Sequence, residues 1–156
     1  MSDHALERTE ILAPPARCYE VARDIERYPD WAPDLKAANV VERDEEGRPS
    51  LVAFRAAAMG HSTSYTIRYN YSEAPRRLAW KLVEGDVARK LDGYYDFAPV
   101  SGKPDRTDVT YELEVELRMP LPGFVKRRAE GRIIHTALRD LKARVEDVVA
   151  PGGSHQ

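Results

Sequence analysis

The chain of 156 residues is 42% hydrophobic and mixes 24 basic with 26 acidic side chains, for a formal charge of −2. Such a length supports one domain with a real core, and the balanced charge leaves no global basic field for wrapping nucleic acid, so no nucleic-acid partner is expected. The single cysteine, Cys18, excludes an intrachain disulfide and a Cys-rich zinc site, no stretch approaches the ~18 apolar residues of a membrane span, and the opening MSDHALERTE lacks the apolar centre of a signal peptide. A soluble cytoplasmic protein is expected, with no metal and no cofactor.

A strand is predicted over Leu6 to Leu12, followed by Pro14 and Pro15, whose missing N–H donors suit the first turn of a helix. That helix places Cys18, Val21, Ala22 and Ile25 on one face and ends near Tyr28-Pro29, before a rigid Trp31-Ala32-Pro33 loop. Strands then follow over Leu35 to Arg43, Ser50 to Ala58, Thr63 to Tyr71, Leu78 to Val83, Lys90 to Ala98 and Thr107 to Arg118. The turn signals between them are too close for parallel crossovers, so an antiparallel meander is predicted. The last strand reaches roughly 37 Å, and the helix predicted from Phe124 to Val148 is nearly as long, so the helix is able to lie along the sheet. Residues 5–149 are expected to form this single domain and residues 150–156 a disordered tail.

Alternation sorts the faces of the strands. Tyr65, Ile67, Tyr69 and Tyr71 share a side, as do Leu78, Trp80 and Leu82, and as do Leu91, Gly93, Tyr95 and Phe97, which leaves Asp92, Tyr94 and Asp96 outside. Tyr111 falls on the inner face of the last strand, and Glu112, Glu114 and Glu116 on its outer face. An interior so rich in Tyr and Trp suits a pocket with an apolar wall and a few polar groups better than a dry core. The long helix carries a stripe of Gly131, Ile134, Leu138, Leu141, Val145 and Val148, with Arg139, Asp140, Lys142, Arg144 and Glu146 on its other side.

The segment APPARCYEVARDIERYPDWAP resembles the opening of the polyketide cyclase/dehydrase and lipid-transport superfamily, the SRPBCC or START-like helix-grip proteins. LDGYYDFAPV with TDVTYELEVEL resembles the sixth and seventh strands of that superfamily, and MPLPGFVKRRAEGRIIHTALRDLKARVE the closing helix of its actinobacterial cyclase/dehydrase-like branch. The resemblance covers nearly the whole chain. It implies an α+β helix-grip fold in the order β-α-β6-α, a seven-stranded antiparallel sheet curled around the C-terminal helix and a hydrophobic cavity between them. The superfamily hosts carriers, receptors, ribosome-associated factors and aromatases, so the resemblance alone assigns no catalytic set.

No Gly-x-Ser-x-Gly, phosphate-cradling loop or His-x-x-x-His spacing is present. The expected ligand site is therefore a cavity lined by Tyr65, Tyr69, Trp80, Tyr95 and Tyr111 and closed by Ile134 and Leu138. Gly131 is expected to open room beneath the helix, because a missing side chain in a covering helix costs about 1 kcal/mol relative to Ala. Arg128 and His135, at steps of three and four from it, are expected to give that room a polar end. These residues suit binding or carriage of a hydrophobic small molecule, such as a lipid, isoprenoid quinone or aromatic polyketide. The alternative is a polyketide cyclase or aromatase acting on a chain held in the same cavity, with Arg128, His135, Tyr69 and Tyr95 supplying acid-base contacts, and its weakness is the missing inner carboxylate. A macromolecular interaction module is a third class, disfavoured by the balanced charge. Lys126, Arg127, Arg128 and Arg132 crowd a helix N-terminus, where the dipole disfavours cations, beside an apolar Met119 to Phe124 loop. That pairing suits transient contact with an anionic membrane surface.

Overall fold

In the computed structural model the first strand, β1 (Asp3–Ile11), ends where Pro14 caps and Pro15 opens the helix α1 (Pro15–Arg23). The structure describes residues 3–58, 61–118 and 123–149, and among these the side chains of all but 3, 58, 61, 123–127, 129, 148 and 149. A 3₁₀ turn (Ile25–Arg27) and the short α2 (Tyr28–Trp31) carry the chain to the sheet. The strands β2 (Leu35–Arg43), β3 (Pro49–Ala58), β4 (His61–Asn70), β5 (Arg77–Gly85), β6 (Ala88–Val100) and β7 (Lys103–Leu117) follow, and α3 (Gly123–Val149) closes the fold. All seven strands form one antiparallel sheet in the order β1-β7-β6-β5-β4-β3-β2. The helix-grip arrangement expected from the sequence is present, and the expected single helix near the N-terminus is three short helical pieces.

Local chemistry explains the hairpins. Between β2 and β3 the Asp44 carboxylate accepts hydrogen bonds from the backbone N–H groups of Glu46 and Arg48, and Gly47 takes φ +82°, a conformation most side chains resist. The edge strand β1 has no second neighbour in the sheet, and α3 ties down its end with polar contacts. Lys142 Nζ donates to the Glu10 carbonyl at 2.7 Å, and the Glu146 carboxylate accepts from the Leu12 backbone N–H at 2.9 Å.

The core forms where α1 and α3 meet the sheet. Ile11, Cys18, Ile25, Leu78, Val109, Leu113, Leu141 and Val145 are fully excluded from water, with Ile134 and Leu138 beside them. The main backbone contacts of α3 are with β1, followed by β7 and α1, so the helix lies over one edge of the sheet rather than its middle. On the outer face, Asp96 departs from expectation. It is buried between two guanidinium partners, Arg76 at 3.1 Å and Arg77 at 3.3 Å.

Candidate functional site

The concave side of β4 to β7 carries a continuous aromatic surface. The Trp80 indole lies 5.4 Å from the Tyr111 ring, 5.5 Å from Tyr95 and 6.2 Å from Tyr69, and Tyr95 meets Tyr111 edge-on at 4.8 Å. Phe54 of β3 extends it, stacking on Tyr65 and on Tyr28 of α2. Strand parity positions these rings, and pairing of Trp80 with Gly93 across β5 and β6 lets the indole lie flat against the sheet.

Exposure along this face is uneven. Tyr69, Trp80, Tyr111 and Tyr95 keep 9%, 8%, 7% and 6% of their surface, whereas Leu78, Val109 and Leu113 of the same strands keep none. The aromatic residues thus keep a slight exposure that their aliphatic neighbours lack. The hydroxyls agree with this. Tyr28 donates to the Ala22 carbonyl and Tyr71 to the Pro49 carbonyl, but among the described residues no hydrogen-bond partner meets the hydroxyls of Tyr65, Tyr95 or Tyr111. Buried hydroxyls normally have partners, so these three are open to water or to a ligand.

Burial pushes the phenols of Tyr28, Tyr69, Tyr95 and Tyr111 well above their ordinary range and that of Tyr65 up to about 12. At neutral pH all of them are uncharged donors. Asp140, which the sequence places on the solvent side of α3, is only 12% exposed. Burial raises its carboxyl, nearby Asp34 raises it further and Arg139 partly opposes the shift. Its charge adds a smaller contribution to the burial that raises Tyr95. Glu130 is also buried, one turn before Ile134.

Tyr65, Tyr69, Trp80, Tyr95, Tyr111, Ile134 and Leu138 are therefore brought to the inner face. Gly131, Arg128 and His135 are not. Gly131 is exposed and a β-carbon there would meet nothing within 4 Å, Arg128 is exposed, and His135 reaches out to Glu7 of β1 at 3.2 Å. The reason is helical phase. Residues 130 and 131 fit a stripe through Ile134 equally well, at steps of four and three, and the helix buries Glu130 while residues 128, 131 and 135 share the flank along β1. Asp140 was missed because it sits among charged neighbours, where a local pattern reads as solvent. Of the expected Met119 to Phe124 loop, residues 119–122 lie outside the described residues and Gly123 and Phe124 begin α3; the side chains of Phe124, Lys126 and Arg127 and residues 150–156 also lie outside the described residues.

An open depression of about 750 Å³ lies mostly on the outer face of the sheet, with Tyr69 and Trp80 among its lining residues. Its walls include Arg48, Arg68, Lys81, Asp92 and Glu112, a mixture of charges unsuited to an apolar ligand, and the inner aromatic face is the better candidate. Among the described residues no three His, Cys, Asp or Glu side chains are grouped to hold a metal ion, and no helix is long and apolar enough to cross a membrane.

Comparison with known proteins agrees with this architecture. A START superfamily protein from Mycobacterium smegmatis matches at a TM-score of 0.87 and 25% identity, covering 94% of this chain and 99% of its own. The Zhui aromatase/cyclase from Streptomyces sp. R1128 matches at 0.82 and 18% identity, covering 98% and 99%, and TTHA0849 from Thermus thermophilus at 0.78 and 23%, covering 95% and 100%. No curated protein matches the sequence. The family model for polyketide cyclase / dehydrase and lipid transport matches residues 11–142, and the chain belongs to that family.

Proposed function

We propose that this protein binds and carries a hydrophobic small molecule in the space between the aromatic concave face and α3, in the cytoplasm. The observation that carries the proposal is the 6–9% residual exposure of Tyr95, Tyr111, Trp80 and Tyr69 beside fully buried aliphatic neighbours. A lipid, isoprenoid quinone or aromatic polyketide would bury its body against these rings and offer its oxygens to the free hydroxyls. Native mass spectrometry of the purified protein should detect a copurified small molecule. In a Trp31→Phe protein, where Trp80 is the single remaining tryptophan, the uncharged dye Nile red should quench Trp80 as it binds. Failure to quench up to the solubility limit of the dye would refute binding at this face.

Asp140 favours one further reading. Ring closure of a reactive polyketone ends in loss of water, in which a base takes a carbon-bound proton and an acid protonates the departing hydroxyl. A carboxyl raised by burial suits that acid, and the neutral Tyr95 hydroxyl, which feels its charge, suits stabilisation of the enolate oxygen. Incubation with a poly-β-carbonyl surrogate tests it, with ring-closed product expected from the wild type and lost in Asp140→Asn.

Ligand exchange would occur at a membrane. Arg128 and Arg132 are exposed on the first half of α3, available to an anionic surface, and this supports transient contact there.

A further inference from the structure

The proposed cavity has an electrostatic character that narrows its ligand, an inference resting on the binding reading above. We infer that the concave site selects an uncharged, oxygen-bearing aromatic or isoprenoid molecule and rejects the same apolar body when it carries a carboxylate.

Three observations lead there. The polar groups that open onto the space are phenol hydroxyls, those of Tyr65, Tyr95 and Tyr111, all neutral donors. A neutral donor suits a ketone or quinone oxygen, which needs one hydrogen bond and brings no charge to desolvate. Second, the charged side chain that acts on Tyr95 is acidic. Asp140 is 12% exposed and acts electrostatically on Tyr95, Asp34 acts on Asp140, and the buried charged side chains among the described residues are Asp96, on the outer face, and Glu130.

Third, the cations near the aromatic face are at its far end and committed or exposed. Arg48 covers the Tyr71 ring at 4.5 Å while bound to Asp44 at 2.8 Å and Glu46 at 2.9 Å, and Arg23 is exposed. A ligand carboxylate would have to leave water without gaining a cation and would sit near Asp140. A carbonyl of the same shape meets neither penalty. The discrimination thus arises from an unfavourable charge arrangement more than from an added attraction.

A matched series tests this with Trp80 quenching in the Trp31→Phe protein at pH 7. 2-Acetylnaphthalene, 2-naphthoate and 2-ethylnaphthalene share one ring system and differ as ketone, carboxylate and oxygen-free control. The ketone should bind tightest and exceed the carboxylate by about tenfold or more. Asp140→Asn should narrow the ratio of ketone to carboxylate affinity, and Tyr95→Phe with Tyr111→Phe should lower ketone affinity toward that of the ethyl compound. Equal or tighter binding of 2-naphthoate would overturn the charge inference and leave the binding reading standing. Absence of quenching by all three compounds would overturn both.

Discussion

The indole of Trp80 and the backbone of Gly93 occupy each other's space: a β-carbon at Gly93 would fall 3.0 Å from Trp80 Cζ2 and 2.3 Å from the Glu112 carbonyl oxygen. The glycine is what lets a tryptophan pack closely over β6 on the inner face of the sheet. Gly93→Ala should therefore cost about 1–3 kcal/mol, the range for overpacked sites, and displace Trp80 into the ligand space. Urea unfolding and the Trp80 emission maximum report the two effects. An unchanged midpoint would mean that β6 and β7 separate freely, contrary to this packing.

Gly131 should behave in the opposite way. Its β-carbon would meet nothing within 4 Å, so Gly131→Ala should stabilise the protein by up to about 1 kcal/mol through helix propensity. Leu138→Ala, at a position 1% exposed, should cost about 2–5 kcal/mol. Thermal unfolding of the two variants should move in opposite directions. Loss of stability in Gly131→Ala would place that residue against the core after all.

Asp140 makes stability depend on pH in a particular sense. Its carboxyl is raised in the folded state, so the native protein holds a proton that the unfolded chain has released. Stability from this group falls as pH rises from the unfolded value of about 3.9 through the folded value, and is gained on acidification. Asp140→Asn should remove that slope and raise stability at neutral pH. A slope that persists unchanged in the variant would assign it to another group.

The tyrosines act at the other end of the scale. Tyr65 is raised to about 12 by burial, so above pH 10 the unfolded chain ionises first and the native state is progressively disfavoured. A phenol moved from 10 to about 12 contributes at most roughly 3 kcal/mol, lost between those pH values. Tyrosinate absorbance should show an early fraction from exposed phenols and a late fraction that appears together with loss of the folded circular dichroism signal. A single smooth titration near pH 10 in a folded protein would contradict the burial of this face.

Membrane contact is checked by vesicle co-sedimentation. At about 1 kcal/mol per basic residue, Lys126, Arg127, Arg128 and Arg132 supply at most ~4 kcal/mol, enough for salt-sensitive and reversible binding. Binding should require anionic lipid and drop when Lys126, Arg127 and Arg128 become glutamine. Indifference of the wild type to anionic vesicles at low salt would leave the exposed Arg128 and Arg132 to a solubility role.

The strands were legible because two-residue alternation is strict where one face is buried. Thr107, Val109, Tyr111, Leu113 and Val115 of β7 are all shielded from water. The inward placement of Trp80 and Tyr95 followed from the same rule. Helix phase was less legible, since a period of 3.6 leaves steps of three and four equally acceptable, and choosing between Glu130 and Gly131 requires the neighbouring strand. The sequence pattern favoured the smaller residue and the fold buried the carboxylate. Asp140 and Asp96 were hidden for a related reason: burial of a charge depends on partners or neighbours from distant segments, Arg76 and Arg77 for one and α3 packing for the other.

The first strand of the chain is among the last to find its place. Asp3 to Ile11 pair with Val115 to Thr107, so β1 has no sheet partner until about a hundred further residues exist, a delay on the order of 5–20 s at ordinary rates of synthesis. During that interval Cys18, Ala22 and Ile25 of the neighbouring helical turns also wait for β7, and α3, which completes their burial, comes later still. Until β7 emerges, β1 is an unpaired strand. Its alternating charges, Glu7, Arg8 and Glu10, stand between the apolar residues as a guard against pairing with the wrong edge.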